Sequence, residues 1–184
     1  MRIIAGKARG TKLYTLEGMN TRPTLDRVKE SLFNIIQNEI PGSTFLDLFA
    51  GSGAIGLEAV SRGAKKAILC DKEKSAIQII KKNIEKTHFQ NETELYNEAF
   101  EKLLTTKIYE NIDICYIDPP YKTNYVYEAI KIMLEKNIVN EETMIIIETD
   151  EKERIISQIE KLEIEIVNRR RYGRVHLVFL EKWD

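Results

Sequence analysis

The run LDLFAGSGAIG, residues 46–56, constrains the fold of this chain more than any other stretch. An apolar strand-like segment passes into Gly51, Gly53 and Gly56 at G-x-G-x-x-G spacing, and a helical period begins at once. Glycines let the backbone turn tightly and let a ligand approach it, so this junction belongs at the edge of a layered α/β sheet. The rest of the chain agrees. Residues 65–71, 93–99, 112–118 and 143–149 read as further strands, and 54–62, 73–87, 100–108, 125–137 and 153–162 as helices between them. Gly63 falls just past the first of these helices, where a C-cap glycine is favoured. Alternation of this kind predicts a mostly parallel, doubly wound sheet. Two strand-like runs on either side of Gly173 add a C-terminal antiparallel hairpin.

Residues 1–40 differ in character from the rest of the chain. The first 23 residues are rich in glycine and basic side chains in short extended runs. Thr24 is then expected to cap a helix with Asp26 in its first turn and Leu25, Val28, Leu32 and Ile35 on one face. At 184 residues, with no repeat or linker, the chain reads as a single domain, 1–184, with 1–40 as a basic extension on the core. No apolar run approaches the length of a membrane span, and residues 1–10 lack a signal-peptide apolar core. Cys70 and Cys115 lie in apolar runs and are expected to be buried thiols; His88 and His176 stand alone, so no metal site is expected. The expectation is a cytoplasmic, metal-free protein. Net charge is only −1, but residues 1–29 carry +5 and residues 169–174 carry +4, leaving −10 for the remainder. Basic ends on an acidic body suit a polyanion partner, although a solvated surface would have the same composition.

The strand after the glycine loop ends at Asp71, an acceptor well placed for ribose hydroxyls. NAD fits the glycines and Asp71 as well as any nucleoside cofactor does. Asp47 discriminates, because a carboxylate just before the loop repels a pyrophosphate and suits a cation. S-adenosyl-L-methionine carries both an ammonium and a sulfonium. Asp47 could instead anchor the loop.

Asp118, Pro119, Pro120 and Tyr121 end the fourth strand, on the edge where the glycine loop emerges. An exocyclic amine on a nucleobase is a poor nucleophile because its lone pair is delocalised. Two acceptors for its N–H bonds, the Asp118 carboxylate and the Pro119 carbonyl, would aim that lone pair at a methyl donor. Consecutive prolines restrict the backbone and supply no competing N–H donors. Tyr121 offers a ring face to stack the base.

These features resemble the amino-methylating class I methyltransferases, and more narrowly the RsmD family. The resemblance spans nearly the whole chain: MRIIAGKARG at the start, TRPTLDRVKESLFNII (21–36), LDLFAGSGAIGLEAVSRGA (46–64), YIDPPY (116–121) and RRYGRVHL (170–177). It implies a seven-stranded Rossmann-like sheet, S-adenosylmethionine as donor, and guanine N2 of 16S ribosomal RNA as acceptor. The RNA is expected within a small-subunit particle or assembly intermediate. The resemblance assigns Asp47, Gly51 and Gly53 to the methionine part of the cofactor, Asp71 to the ribose, and Glu98 and Ala99 to the neighbourhood of the adenine, with Phe49 also among the cofactor-binding residues. Asp118 through Tyr121 would hold the base. The sequence YNEAF departs from the usual acid-alanine pattern around Glu98, and Asp71 stands where glutamate is common. Arg2, Lys7, Arg9, Arg22 and Arg27 are the candidate phosphate contacts, with Arg171 after them. The tetrapeptide alone would also suit an adenine-N6 or a glutamine-amide methyltransferase, and a non-enzymatic RNA-binding module remains a third class.

Overall fold

The computed structural model of the chain describes residues 1–16, 23–162 and 164–182. Seven strands occur among them: β1 (Thr44–Asp47), β2 (Lys66–Cys70), β3 (Thr93–Tyr96), β4 (Ile114–Ile117), β5 (Met144–Thr149), β6 (Ile164–Tyr172) and β7 (Val175–Lys182). They form one sheet in the order β3-β2-β1-β4-β5-β7-β6. The first five are parallel, while β7 runs antiparallel to both β5 and β6. β1 and β4 are buried at every position, as parallel strands covered on both faces must be. The hairpin turns at Gly173, whose φ of 64° lies in the left-handed region.

Among the described residues six helices cover the faces: α1 (Pro23–Ile35), α2 (Ala54–Ser61), α3 (Lys74–Thr87), α4 (Phe100–Thr106), α5 (Tyr125–Glu135) and α6 (Lys152–Ile159). Val126, Ile130 and Met133 of α5 and Ile155 of α6 pack on one face with Leu46, Cys115 and Ile117. Leu32, Phe33 and Ile36 pack on the other with Phe45, Tyr116 and Ile146. Beside them, Leu57 of α2 and Ile80 of α3 pack against Leu69. Both cysteines are buried free thiols.

Several boundaries differ from the sequence expectation. α1 begins at Pro23, so Thr24 lies inside the helix rather than capping it. Proline is favoured at a first helical position, where its missing N–H costs nothing. The buried face of α1 runs through Val28, Lys29, Leu32 and Phe33, and Ile35 is only partly buried. The side chain of Leu25 lies outside the described residues. The third strand ends at Tyr96 instead of 99, leaving Glu98 and Ala99 in the turn before α4. At the end of α2 the cap is Arg62, and Gly63 comes next with φ 109°.

The N-terminal segment is fastened to α2 by a polar cluster that carries no periodic signal. Glu58 is fully buried. Its carboxylate accepts the backbone N–H groups of Ile4 at 2.8 Å and Ala5 at 3.1 Å. It also pairs with Lys29 at 3.2 Å and Arg62 at 2.8 Å. Burial lowers the Lys29 pKa, against the pull of Glu58. Asn83, also fully buried, accepts the Tyr14 N–H and donates to the carbonyls of Tyr14 and Ser52, tying the segment to the glycine loop. Gly6 meets α2 so closely that a Cβ there would lie 1.8 Å from the Ser61 carbonyl oxygen.

Candidate active site

The chain crosses from one side of the sheet to the other between β1 and β4, and doubly wound sheets bind ligands at the carboxyl edge of such a switch point. A cleft of about 780 Å³ opens there. Leu48, Phe49 and Gly51 line it from the glycine loop, Asp71 from the end of β2, Glu98 and Ala99 from the turn after β3, and Asp118 through Tyr121 from the end of β4. Glu148 lines it from β5 and Val175 from the hairpin. The fold thus brings together four separate stretches that the sequence singled out.

Asp47 and Gly53 do not line the cleft. Asp47 sits beneath the loop, 1% exposed, and accepts the Phe49 N–H at 3.4 Å. Gly53 has φ 78°, and a Cβ there would come within 3.2 Å of Ile80. Its glycine is required by backbone conformation and packing. Gly51, with φ 57°, has open space where a Cβ would project, so its backbone can meet a ligand directly. Asp71 is already engaged: its two carboxylate oxygens accept the Gly51 and Glu73 N–H groups, each at 2.9 Å. Each oxygen keeps a second lone pair for a ligand hydroxyl, and the same side chain holds the loop in place.

Phe49, Phe100 and Tyr125 form an aromatic wall in the cleft, with Phe49 and Tyr125 stacked at 6.0 Å between ring centroids. Sequence reasoning passes over Phe100, Tyr125 and Glu148. Glu148 had a legible signal, since it ends an apolar strand in an acid as Asp47, Asp71 and Asp118 do.

Charge in the cleft is one-sided. Asp71, Glu73, Glu98, Glu101, Asp118 and Glu148 face Lys72. Asp118 reaches solvent, yet protein surrounds it on most sides. That burial, with the carboxylates of Glu148, Asp47 and Asp150, raises its pKa well above the ordinary aspartate value. Burial likewise raises Glu148. The buried Tyr116 hydroxyl, itself pushed up by burial and Glu148, stays protonated and donates to Glu148. One Glu98 oxygen is buried without a hydrogen-bond partner.

A cationic ligand suits these groups, and a polyphosphate does not. The open backbone at Gly51, the orphaned Glu98 oxygen and the carboxylates fit a cofactor with hydrogen-bond donors and positive charge. Burial pushes Asp47 up to about 7 from 3.8, opposed by the Phe49 N–H and reinforced by Asp71 and Glu148. Between those values the folded protein holds a proton that the unfolded chain has released, so stability falls as pH rises through that window and levels off above it. The cost reaches about 4 kcal/mol at most, at ~1.4 kcal/mol per unit. Asp47→Asn is therefore expected to flatten this slope and stabilise the ligand-free protein at pH 8 by about 1–3 kcal/mol. Urea denaturation at several pH values reads both effects; an unaltered slope means Asp47 ionises normally.

Three of the basic residues singled out near the N-terminus also converge. Arg2, Arg9 and Arg27 line a depression of about 290 Å³, together with Asp26 and Glu30. Lys7 is exposed on the same segment. Arg22 lies outside the described residues. Arg171 is exposed, donates to the Gly173 carbonyl at 2.9 Å, and pairs across the hairpin with His176, next to the carboxyl end of β5. Among the described residues no cluster of side chains could hold a metal ion, and no helix is long and apolar enough to cross a membrane.

A parallel doubly wound core closed by an antiparallel hairpin, with the Asp-Pro-Pro-Tyr turn at its switch point, defines a Rossmann-like class I methyltransferase. Solved structures agree. The yhhF protein of Escherichia coli aligns with a TM-score of 0.82 at 26% identity, over 100% of this chain and 98% of that one. A hypothetical protein of Thermus thermophilus aligns with a TM-score of 0.79 at 27% identity, over 98% and 99%. The chain belongs to the RsmD family: the family model described as conserved hypothetical protein 95 matches residues 1–181. Ribosomal RNA small subunit methyltransferase D of Haemophilus influenzae is 37% identical over 159 residues, 85% of this chain and 82% of that protein. The protein of the same name in Escherichia coli K12 is 35% identical over 150 residues, 82% and 75%.

Proposed function

We propose that this chain transfers a methyl group from S-adenosylmethionine to the exocyclic N2 amine of a guanine in small-subunit ribosomal RNA. The observation that carries this reading is the position of Asp118 and Pro119 in one cleft with the glycine loop and Asp71. The names of the relatives support the RNA and the methyl transfer. S-adenosylmethionine supplies an electrophilic methyl group on a sulfonium. Asp71 and the Gly51 backbone would hold its ribose and methionine ends, the Phe49–Phe100–Tyr125 wall its adenine, and Glu98 a donor at that end. Asp118 and the Pro119 carbonyl would accept the two N2–H bonds, drawing the nitrogen toward a tetrahedral shape. Tyr121, 76% exposed at the rim, would stack on the base. Orientation supplies much of the rate. The methylated ammonium loses its proton readily, so no strong base is required.

An acidic cleft admits a base and repels a phosphate backbone. The target nucleotide must therefore be unpaired or flipped out, with its phosphates gripped by arginines outside the cleft. Residues 1–40 would form that RNA-contacting part of one methyltransferase domain, acting in the cytoplasm on a small-subunit particle or assembly intermediate. Replacing Arg2, Arg9 and Arg27 together with Ala should weaken RNA binding. It should also reduce the slope of log affinity against log salt by about 2, since each phosphate contact contributes ~0.7–0.9. An unchanged slope removes this depression from the interface and leaves the Arg171 hairpin as the alternative.

The reading itself is tested by supplying labelled S-adenosylmethionine and small-subunit particles from cells lacking the protein, then mapping modified nucleotides by mass. The expected result is one new N2-methylguanine. Label appearing in adenine, DNA or protein would refute it.

A further inference from the structure

Asp118 and Pro119 account for the two N2–H bonds of the guanine in this reading, but the adjoining ring N1–H also needs an acceptor once water is displaced. Glu148 stands beside Asp118. β4 and β5 pair Ile117 with Ile147, and the next step along both strands sets Asp118 next to Glu148. Both carboxylates line the same cleft with Tyr121. Tyr116, two residues before Asp118, is buried in the core beneath α1 and donates its hydroxyl to one Glu148 oxygen. A packed, hydrogen-bonded support of this kind restricts the Glu148 rotamer, as specific recognition requires. The other oxygen keeps its full acceptor capacity.

We propose that Glu148 is a specificity-determining residue that accepts the N1–H of the target guanine while Asp118 accepts from N2. This rests on the guanine-N2 reading. Guanine presents two donors side by side, N1–H and N2–H, and two adjacent carboxylates match that pattern. Adenine and cytosine each present an amine beside a ring nitrogen that is itself an acceptor. Either would set an unpaired acceptor against the Glu148 carboxylate in a desolvated site, a mismatch of the kind that gives strong discrimination. The raised pKa values of both carboxyls fit a pair that awaits donors from a ligand.

The test compares particles carrying guanine at the modified position with particles carrying adenine there. Wild-type protein, Glu148→Gln and Tyr116→Phe are measured on both, with S-adenosylmethionine affinity taken by calorimetry. Glutamine is nearly isosteric and its amide can donate to adenine N1. Glu148→Gln should lower the guanine rate by about 10-fold or more and reduce the guanine-to-adenine ratio by at least about 10-fold, with cofactor affinity unchanged. Tyr116→Phe adds no bulk and loosens Glu148. It should lower the guanine rate by roughly 3- to 10-fold and reduce the ratio in the same direction. If Glu148→Gln does not fold, Tyr116→Phe decides alone. A ratio unchanged in the folded variants, or a loss fully accounted for by cofactor affinity, overturns the role of Glu148 and leaves the guanine-N2 reading standing. Wild-type protein that modifies the adenine particles as fast as the guanine particles overturns that reading, and this inference with it.

Discussion

Asp118→Ala is expected to cut methyl transfer by at least about 10²-fold while S-adenosylmethionine still binds, the scale for losing one preorganised partner of the transition state. Asp118 lies with Pro119 at the end of β4, on a different segment from Asp71 and the glycine loop that would hold the cofactor. Its removal therefore leaves the cofactor groups in place. Asp118→Asn should be milder, because the amide oxygen still accepts a hydrogen bond and the neighbouring prolines still set its direction. Single-turnover rates with saturating cofactor separate the two variants. Equal inactivity of Asn and Ala, with fold and cofactor affinity retained, would make Asp118 an essential base rather than an orienting acceptor. The raised pKa of Asp118 adds a pH signature. The carboxylate is a stronger acceptor than the neutral acid, so turnover should rise with pH on a limb displaced above the ordinary carboxylate range. Asp47 and Glu148 are raised as well, so that limb belongs to the cluster and not to one residue.

Glu58→Ala should produce the largest loss of stability, about 3–5 kcal/mol, because it leaves a buried charge without its partner. Lys29 is 2% exposed and pairs with Glu58. The Ile4 and Ala5 N–H groups lose their acceptor at the same time, and so does the Arg62 guanidinium. Glu58→Gln should cost less, since an amide oxygen can still accept from one of these donors. Equilibrium urea denaturation measures the difference; a loss below about 1 kcal/mol would mean that the cluster relaxes or fills with water. In a Glu58→Ala protein that remains folded, RNA affinity should fall before S-adenosylmethionine affinity does. Arg2 and Arg9 ride on the released segment, while most of the cofactor groups sit on the glycine loop, at Asp71 just after β2 and in the turn after β3.

The sequence by itself determined the order of strands and helices, the glycine loop and the Asp-Pro-Pro-Tyr turn. Each of these is local. Period, turn chemistry and the restriction imposed by consecutive prolines act over a few residues and survive into the folded chain. It also marked Asp71, Asp118 and the basic N-terminus as separate points of interest. Only the tertiary structure decided which side chains meet. Glu58 and Ile4 are 54 positions apart, Asn83 and Tyr14 are 69 apart, and Tyr116 and Glu148 are 32 apart. The partner of a buried polar group is set by the packing of distant elements, and no hydrophobic period records it. For the same reason Asp47, read as a cofactor ligand from its place before the loop, lies beneath that loop with its carboxylate on the Phe49 N–H. Arg2, Arg9 and Arg27 become one depression only because Glu58 and Lys29 clamp the first strand-like segment between α1 and α2.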